Sequence, residues 1–544
     1  MPPSTASQPG QREVQALLRA YGGRQMADAE QRARAMAKLH PGAVVAHSIL
    51  ASILVQRGDA AAALPHGEAA ARLQPRTAEL QFNLALILTA LGRWSDAVSV
   101  YQRGLALKPD AETAHFNLGS ALQMLGNLDG AGEHFDRATR LNPAYAEAWG
   151  NLGGVRQSQG RLDAAVAAYQ HALALPQVAG ATRARLLCSL ASVQRNLGHL
   201  PAAICLLQQA VDAAPGLAEA HDRLGWALWA QGDAAGAKAG FAAALALDPA
   251  LASAHYHLGV VLQDSGERRA AVIHFRQAQL DDSADRALYC LYREGDFVTF
   301  RQDLAERLEQ PDAHRSALLA TLTAHHAHNF TTDNPHQFCP QPLDFVHRQA
   351  LPALAPGSPL LAEVLATIAG SALAHRQQGR LHHGVQSAGN LFRRPEACLQ
   401  TVADLVLEAV RTYPLAFPTA DCLLIRQFPA NPAFSSSWYI RMRQGGHLTS
   451  HIHEEGWISG CLYLAMPDTP AGQLDGSIAF STHGDQHPCV RDDFPEMILT
   501  PAVGDLVLFP SSLFHRTVPY TADQERICIA FDILPARTEP AHGG

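Results

Sequence analysis

Two hydrophobic periods divide the chain. Up to about residue 283, apolar and small residues recur three and four apart, as on one face of a helix. Prolines stand at Pro41, Pro75, Pro109 and Pro143, each 34 residues after the last, then at Pro176, Pro215 and Pro249, with Ser283 in phase after those. Glycines keep the same step: Gly58, Gly92, Gly126 and Gly160, then Gly198, Gly232 and Gly266. Proline ends one helix and suits the first turn of the next, and the glycine permits a left-handed turn between two helices. Each unit therefore predicts a helical hairpin. In the unit after Pro143, Trp149, Leu152, Gly153, Ala165, Tyr169 and Ala172 are the packing positions, and in the unit before it Leu118, Gly119, Ala131, Phe135 and Ala138. The 39-residue step from Pro176 to Pro215 predicts an insertion near Ala179 to Thr182 that lengthens a loop.

From Ser283 to about Arg380 the proline phase is lost but helical spacing continues, over Ala287 to Leu308, Ala317 to Ala327 and Leu360 to Ala374. Beyond Ala420 the pattern changes to short β-branched and aromatic runs separated by Gly, Pro and Asp. Strands are predicted at Cys422 to Phe428, Trp438 to Arg443, Ser459 to Leu464, Ser477 to Phe480, Asp505 to Phe509 and Arg526 to Ile533. Short strands in this number predict a sandwich or barrel. The expected segments are a solenoid over 1–283, an irregular helical bridge over 284–380, a β domain over 381–536 and a tail over 537–544.

Composition narrows the partners. With 42 basic against 50 acidic residues the net charge is −8, spread along the chain, which gives no electrostatic case for nucleic acid or an anionic membrane. No run approaches the roughly 18 apolar residues of a membrane span, and the polar start carries no signal-peptide pattern. The nine cysteines show no CxxC pair and read as packed thiols. A cytoplasmic protein is expected.

The β half carries the chemistry. In His447-Leu-Thr-Ser-His451-Ile-His453-Glu454-Glu455-Gly-Trp-Ile-Ser459-Gly-Cys-Leu-Tyr463, residues 451 and 453 share one face of a strand, so two imidazoles can aim at one point. His515, expected just past the strand that follows Gly504, is a candidate third ligand. Arg526, opening an apolar strand, suits a bidentate carboxylate clamp. His325, His326 and His328, like His382 and His383, cluster without a second converging group and are expected to be solvated. Trp438 and Trp457 are read as packing, and Asp475, Asp492 and Asp493 are assigned no role.

The 34-residue pattern resembles the tetratricopeptide repeat over about residues 8 to 283, and such arrays bind peptide or protein segments. From Gly384-Val-Gln-Ser-Ala-Gly-Asn-Leu-Phe392 to Ile533, the sequence resembles the Fe(II) and 2-oxoglutarate dependent dioxygenases, in the prolyl-hydroxylase-like branch with an His-x-His…Ser-Gly-x-x-Tyr segment. The resemblance implies an α + β multidomain chain, an α-solenoid followed by a double-stranded β-helix (jelly roll). It implies iron held by His451 and His515, the C5 carboxylate of 2-oxoglutarate held by Arg526, and a Tyr463 that also touches this cosubstrate. The third ligand is open. Either His451, His453 and His515 form a three-histidine face, or His453-Glu454-Glu455 supplies an His-x-Glu pair in place of the family's His-x-Asp/Glu and His451 stands behind the ligands or meets the substrate.

That resemblance implies O2-dependent hydroxylation of a substrate C–H coupled to conversion of 2-oxoglutarate to succinate, with ascorbate as an accessory reductant. Three readings follow. The chain is an oxygenase acting on a protein or peptide that the repeats recruit, a scaffold with a catalytically inactive oxygenase-like domain, or a small-molecule hydroxylase.

Overall fold

The computed structural model describes residues 8–280, 282–370, 375–376, 379–387, 390–454, 456–468, 472–484 and 486–534. They fall into two compact units, Met1–Ala254 and His255–Gly544.

In the first unit, fourteen helices run from α1 (Gln11–Gly22) to α14 (Ala234–Leu247) among the described residues. Consecutive helices pair as hairpins, and the mid-unit glycines adopt positive φ, 71° at Gly92 and 94° at Gly232, closing the turns as their spacing predicts. The expected loop insertion is instead helix. Gly180 to Thr182 form the first turn of α11 (Gly180–Asn196), 17 residues against 13 in α10 (Leu162–Ala174). Arg183 ties this turn back to α10 by donating to the Leu173 carbonyl at 3.0 Å, so the extra residues find hydrogen bonds without looping out.

The second unit opens with more hairpins: α15 (Ala252–Asp264), which spans the unit boundary, with α16 (Arg268–Ala278), then α17 (Ser283–Arg293) with α18 (Phe297–Leu308). The hairpin pattern thus extends past Ser283. Helix α19 (Ala317–Phe330) packs against α17 and reaches the β domain, where Thr321 Oγ1 donates to the Ser512 carbonyl at 2.6 Å. Asn329 bonds to the backbone at Pro488 and Val490.

Ten strands follow: β1 (His347–Ala350), β2 (His375–Arg376), β3 (Leu381–Ser387), β4 (Ala433–Leu448), β5 (Ile458–Ala465), β6 (Ile478–Ser481), β7 (Glu496–Leu499), β8 (Asp505–Pro510), β9 (Phe514–Thr517) and β10 (Arg526–Leu534). They form antiparallel sheets of order β1-β8-β5-β10-β4-β3-β2 and β7-β6-β9. Alternation sorts the side chains. Ile527, Ile529, Phe531 and Ile533 pack with Leu399, Val402 and Val406 of the helix Ala397–Thr412, and Cys528 and Ala530 face Tyr463, Phe480 and Phe509 in the interior. This is the expected α-solenoid followed by a jelly roll.

One predicted strand is not a strand. Residues Leu423–Arg426 form a helical turn, because the Leu423 and Leu424 N–H groups bond to the carbonyls of Gln337 and Phe338 and not to a sheet neighbour. Trp457 caps the arrangement by donating Nε1–H to the Leu424 carbonyl at 3.1 Å, a packing role as read from the sequence. No helix among the described residues is long and apolar enough to cross a membrane.

Candidate metal centre and anion site

The end of β4 brings the histidines together. At Gly445 (φ +77°) and Gly446 β4 bulges while staying paired with β3 through Leu448, and a Cβ on Gly446 would lie 2.6 Å from the Arg443 carbonyl oxygen. The chain beyond β4 carries His451 beside β9, where His451 and His515 exchange backbone hydrogen bonds of 3.1 and 3.0 Å. His515 lies past the end of β8, as expected, but on a strand of its own, β9, because Pro510 to Leu513 turn the chain. His453 lies beyond the strand, its N–H bonded to the Ser511 carbonyl. One nitrogen from each of His451, His453 and His515 can be chosen so that all three lie within 4.8 Å of one another.

All three rings are held through Nδ1. His451 Nδ1 lies 2.8 Å from the Thr449 carbonyl and His515 Nδ1 lies 3.2 Å from that of Leu513. His453 Nδ1 lies 2.5 Å from Asp532 Oδ1. A carbonyl or carboxylate only accepts, so each Nδ1 carries a proton and Nε2 is the ring atom left to turn to a metal. Burial, then the neighbouring His453, holds the His451 pKa down to about 3; burial likewise holds His515 well below the ordinary range. Both are neutral ligands at pH 7.

Asp532 is the residue that sequence reasoning missed. Burial alone would raise its pKa, but the attraction and hydrogen bond of His453, with bonds from the Ser459 and Ser436 hydroxyls, outweigh burial and keep it ionised. Its signal was available: Arg526, Cys528, Ala530 and Asp532 alternate along β10 on the interior face. The Ser-Gly-x-x-Tyr segment acquires a physical meaning here. Ser459 bonds Asp532 and Ser511, and a Cβ on Gly460 would lie 2.3 Å from the Phe531 ring.

Arg526 is 2% exposed at the cavity floor. Its Nε donates to the Gly476 carbonyl at 3.0 Å, Nη1 approaches the sulfurs of Met442 and Cys528, and the Tyr463 ring centroid is 5.0 Å from Cζ. Among the described residues no carboxylate pairs with it. A buried cation without a counter-charge is costly, and the Tyr463 hydroxyl beside it is buried without a hydrogen-bond partner. Cys528 offers partial compensation, since a hydrogen bond from Cys461, with help from Arg526, pulls its thiol down to about 7 against the effect of burial. This donor set fits an anionic ligand. A cavity of about 620 Å³ joins Arg526 to the three histidines, and Trp438, read as packing, lines its wall.

The other candidates separate from this centre. His325 and His326 are buried, not solvated; His325 bonds the Tyr292 hydroxyl at 2.6 Å and His483 at 2.9 Å, and so spends both nitrogens. His382 stacks on His447. His328 pairs with Asp493, Asp475 accepts from Thr521, and Glu454 pairs with Arg286 of α17 at 3.2 Å. Glu455, the alternative ligand, lies outside the described residues, as does the expected tail over 537–544.

Comparisons with known proteins agree with this division. Residues 436–532 match the family described as "Putative 2OG-Fe(II) oxygenase", and residues 50–112, 82–146 and 144–216 match tetratricopeptide repeat families. No curated protein matches the chain. Among solved structures, YrrB, titled "a TPR protein with an unusual peptide-binding site", is 24% identical over 33% of this chain and 90% of its own, with a TM-score of 0.27. MamA from Desulfovibrio magneticus RS-1 is 19% identical over 31% and 94%, with a TM-score of 0.30. A chain of the APC/C hetero-tetramer Cut9-Hcn1 is 16% identical over 53% and 57%, with a TM-score of 0.36. The chain joins tetratricopeptide repeats to a C-terminal domain of the 2OG-Fe(II) oxygenase family.

Proposed function

We propose that this protein is an Fe(II) and 2-oxoglutarate dependent dioxygenase that hydroxylates a protein or peptide segment recruited by its repeats. The observation that carries the reading is the juxtaposition, in one cavity, of three imidazoles with free Nε2 atoms and a buried guanidinium with no acidic partner. His451, His453 and His515 would hold the iron, which together with 2-oxoglutarate supplies the oxidising chemistry when bound. Arg526 would bind the C5 carboxylate, with the Tyr463 hydroxyl as a further donor.

The remaining work belongs to the chain. Thr449, Leu513 and Asp532 hold the Nδ1 protons and so fix each ring's orientation and tautomer. Asp532 supports a face of three neutral ligands with a carboxylate one hydrogen bond away. Ile440, Leu448 and Ile478 give the cavity dry walls, which strengthens its electrostatic contacts. The recruitment step rests on the habit of such arrays to bind polypeptides.

The test is aerobic consumption of 2-oxoglutarate with release of succinate by the purified chain, supplied with Fe(II) and ascorbate. The reading expects turnover that needs added iron and is lost in Arg526→Gln. Cosubstrate binding with no turnover, with or without candidate peptides, would favour a scaffold with an inactive domain.

A further inference from the structure

Of the three histidines, His453 has the least support from the sheets, and a repeat-like helix holds the residue after it. His451 sits in a bridge to β9 and His515 within that strand. His453 lies off the strands, its N–H bonded to the Ser511 carbonyl. Among the described residues, the next backbone bond from this segment to another element comes at Trp457, which donates to the Ile533 carbonyl at 2.8 Å. Asp532 holds the His453 ring, not its backbone. A metal ligand must stay within about 0.5 Å of its productive place, so a segment without a sheet ladder needs another anchor.

Glu454 meets that anchor. Its carboxylate accepts from Arg286 Nη2 of α17 at 3.2 Å, and the Arg286 side chain is 18% exposed. The guanidinium is set in place from its own side. Nε donates to Asp282 at 2.7 Å and to the Tyr256 hydroxyl of α15 at 2.9 Å, and that hydroxyl donates to Asp282 at 3.0 Å. The Tyr256 ring centroid lies 5.7 Å from Cζ. Burial opposes the charge of Arg286, but Glu454 and then Asp282 outweigh it and raise its pKa. Ile452 and Glu454, which flank His453, also border a gap of about 20 Å³ with Tyr289 of α17 and Leu318 and Thr321 of α19, so these helices close tightly on the segment. A partly exposed ion pair adds little to global stability. As an anchor it has only to hold one stretch of backbone. We propose that Arg286 is a positioning residue of the metal centre, which fixes the His453 segment through Glu454 from a repeat-like helix. This rests on the metal-centre reading above, and Arg286 lies far before residue 436, where the family match begins.

The test is calorimetric titration of Mn(II) into the full chain, in wild type, Arg286→Gln, Arg286→Lys, Glu454→Gln and the Arg286→Gln/Glu454→Gln double variant. Two actions of Arg286 differ in sign. A nearby cation that acted only through its field would repel the metal, so its removal would tighten binding. Positioning predicts the reverse. Arg286→Gln is expected to raise the Mn(II) Kd about fivefold, the upper end of what a partly exposed ion pair supplies. Arg286→Lys should keep wild-type affinity, and Arg286→Gln should add no further loss in the Glu454→Gln background. An unchanged or lower Kd in Arg286→Gln would overturn the inference, and so would an equal loss with Glu454 already replaced, which marks a general effect on α17. Glu454 is the more exposed partner, so Glu454→Gln reads the anchor even where Arg286→Gln lowers the unfolding midpoint, and wild-type affinity there would overturn the inference too. A wild-type chain that binds no Mn(II) would overturn the metal-centre reading itself, a result distinct from binding that ignores Arg286.

Discussion

If His451, His453 and His515 hold a divalent cation they bring no charge to it, and the carboxylate of Asp532, one hydrogen bond behind His453, would take on the electrostatic work of a missing acidic ligand. Asp532→Asn should therefore weaken Fe(II) or Mn(II) binding about 10- to 100-fold with the fold retained. Calorimetric titration of the metal checks this, and wild-type affinity in the variant would contradict it. At this scale the sequence was informative where chemistry is tied to spacing: His451, His453, His515 and Arg526 were all nominated, and all line one cavity. Asp532 was harder to find. It matters only through a neighbour brought by strand pairing, and register is not written in its own segment.

Among the elements, repetition made the helices legible and its absence hid the exceptions. Gly153 is needed because its helix crosses α10 closely: a Cβ there would lie 2.7 Å from the Tyr169 ring. Gly119, Gly225 and Gly259 meet Phe135, Phe241 and Phe275 in the same way. Gly153→Leu should destabilise the array by about 1–3 kcal/mol through overpacking, read as a lower unfolding midpoint in denaturant; an unchanged midpoint would show that the crossing is looser than this geometry. The spacing between prolines could not show whether the residues added near Ala179 extend a loop or a helix, because the bond that decides it comes from Arg183 to the preceding helix. Likewise the apolar run at Cys422 to Phe428 reads equally as a buried strand or a buried turn, and the carbonyls of Gln337 and Phe338 settle it from outside the run.

For the molecule as a whole, the compact unit that holds the candidate metal centre begins at His255, within the helical hairpins. Arg286 of α17, itself held by Asp282 and Tyr256, grips Glu454 next to His453, so a repeat-like helix is tied to the segment that carries His453. This unit also buries histidines in neutral form: burial takes His336 down to about 4 and, with the neighbouring His487 and His483, His325 down to about 2. Unfolded, both would titrate near 6.5. The unfolded chain then binds more protons than the native one below that pH, so stability present above pH 6.5 is lost as pH falls towards 4, by roughly 1.4 kcal/mol per pH unit for each such group. The unfolding midpoint should drop steadily between pH 6.5 and 5, above the range where most carboxylates titrate. A flat profile across that interval would mean that these imidazoles are protonated in the folded state.

The central claim is that His451, His453 and His515 hold one iron within reach of a 2-oxoacid clamped by Arg526. Anaerobic titration of Fe(II) and 2-oxoglutarate, followed by the visible charge-transfer absorption of the chelate, tests it most directly in wild type, His453→Ala, Glu455→Ala and Arg526→Gln. The account predicts one chelate per chain in wild type and in Glu455→Ala, none in His453→Ala, and a strongly weakened cosubstrate response in Arg526→Gln. A band that survives His453→Ala but disappears in Glu455→Ala would contradict it.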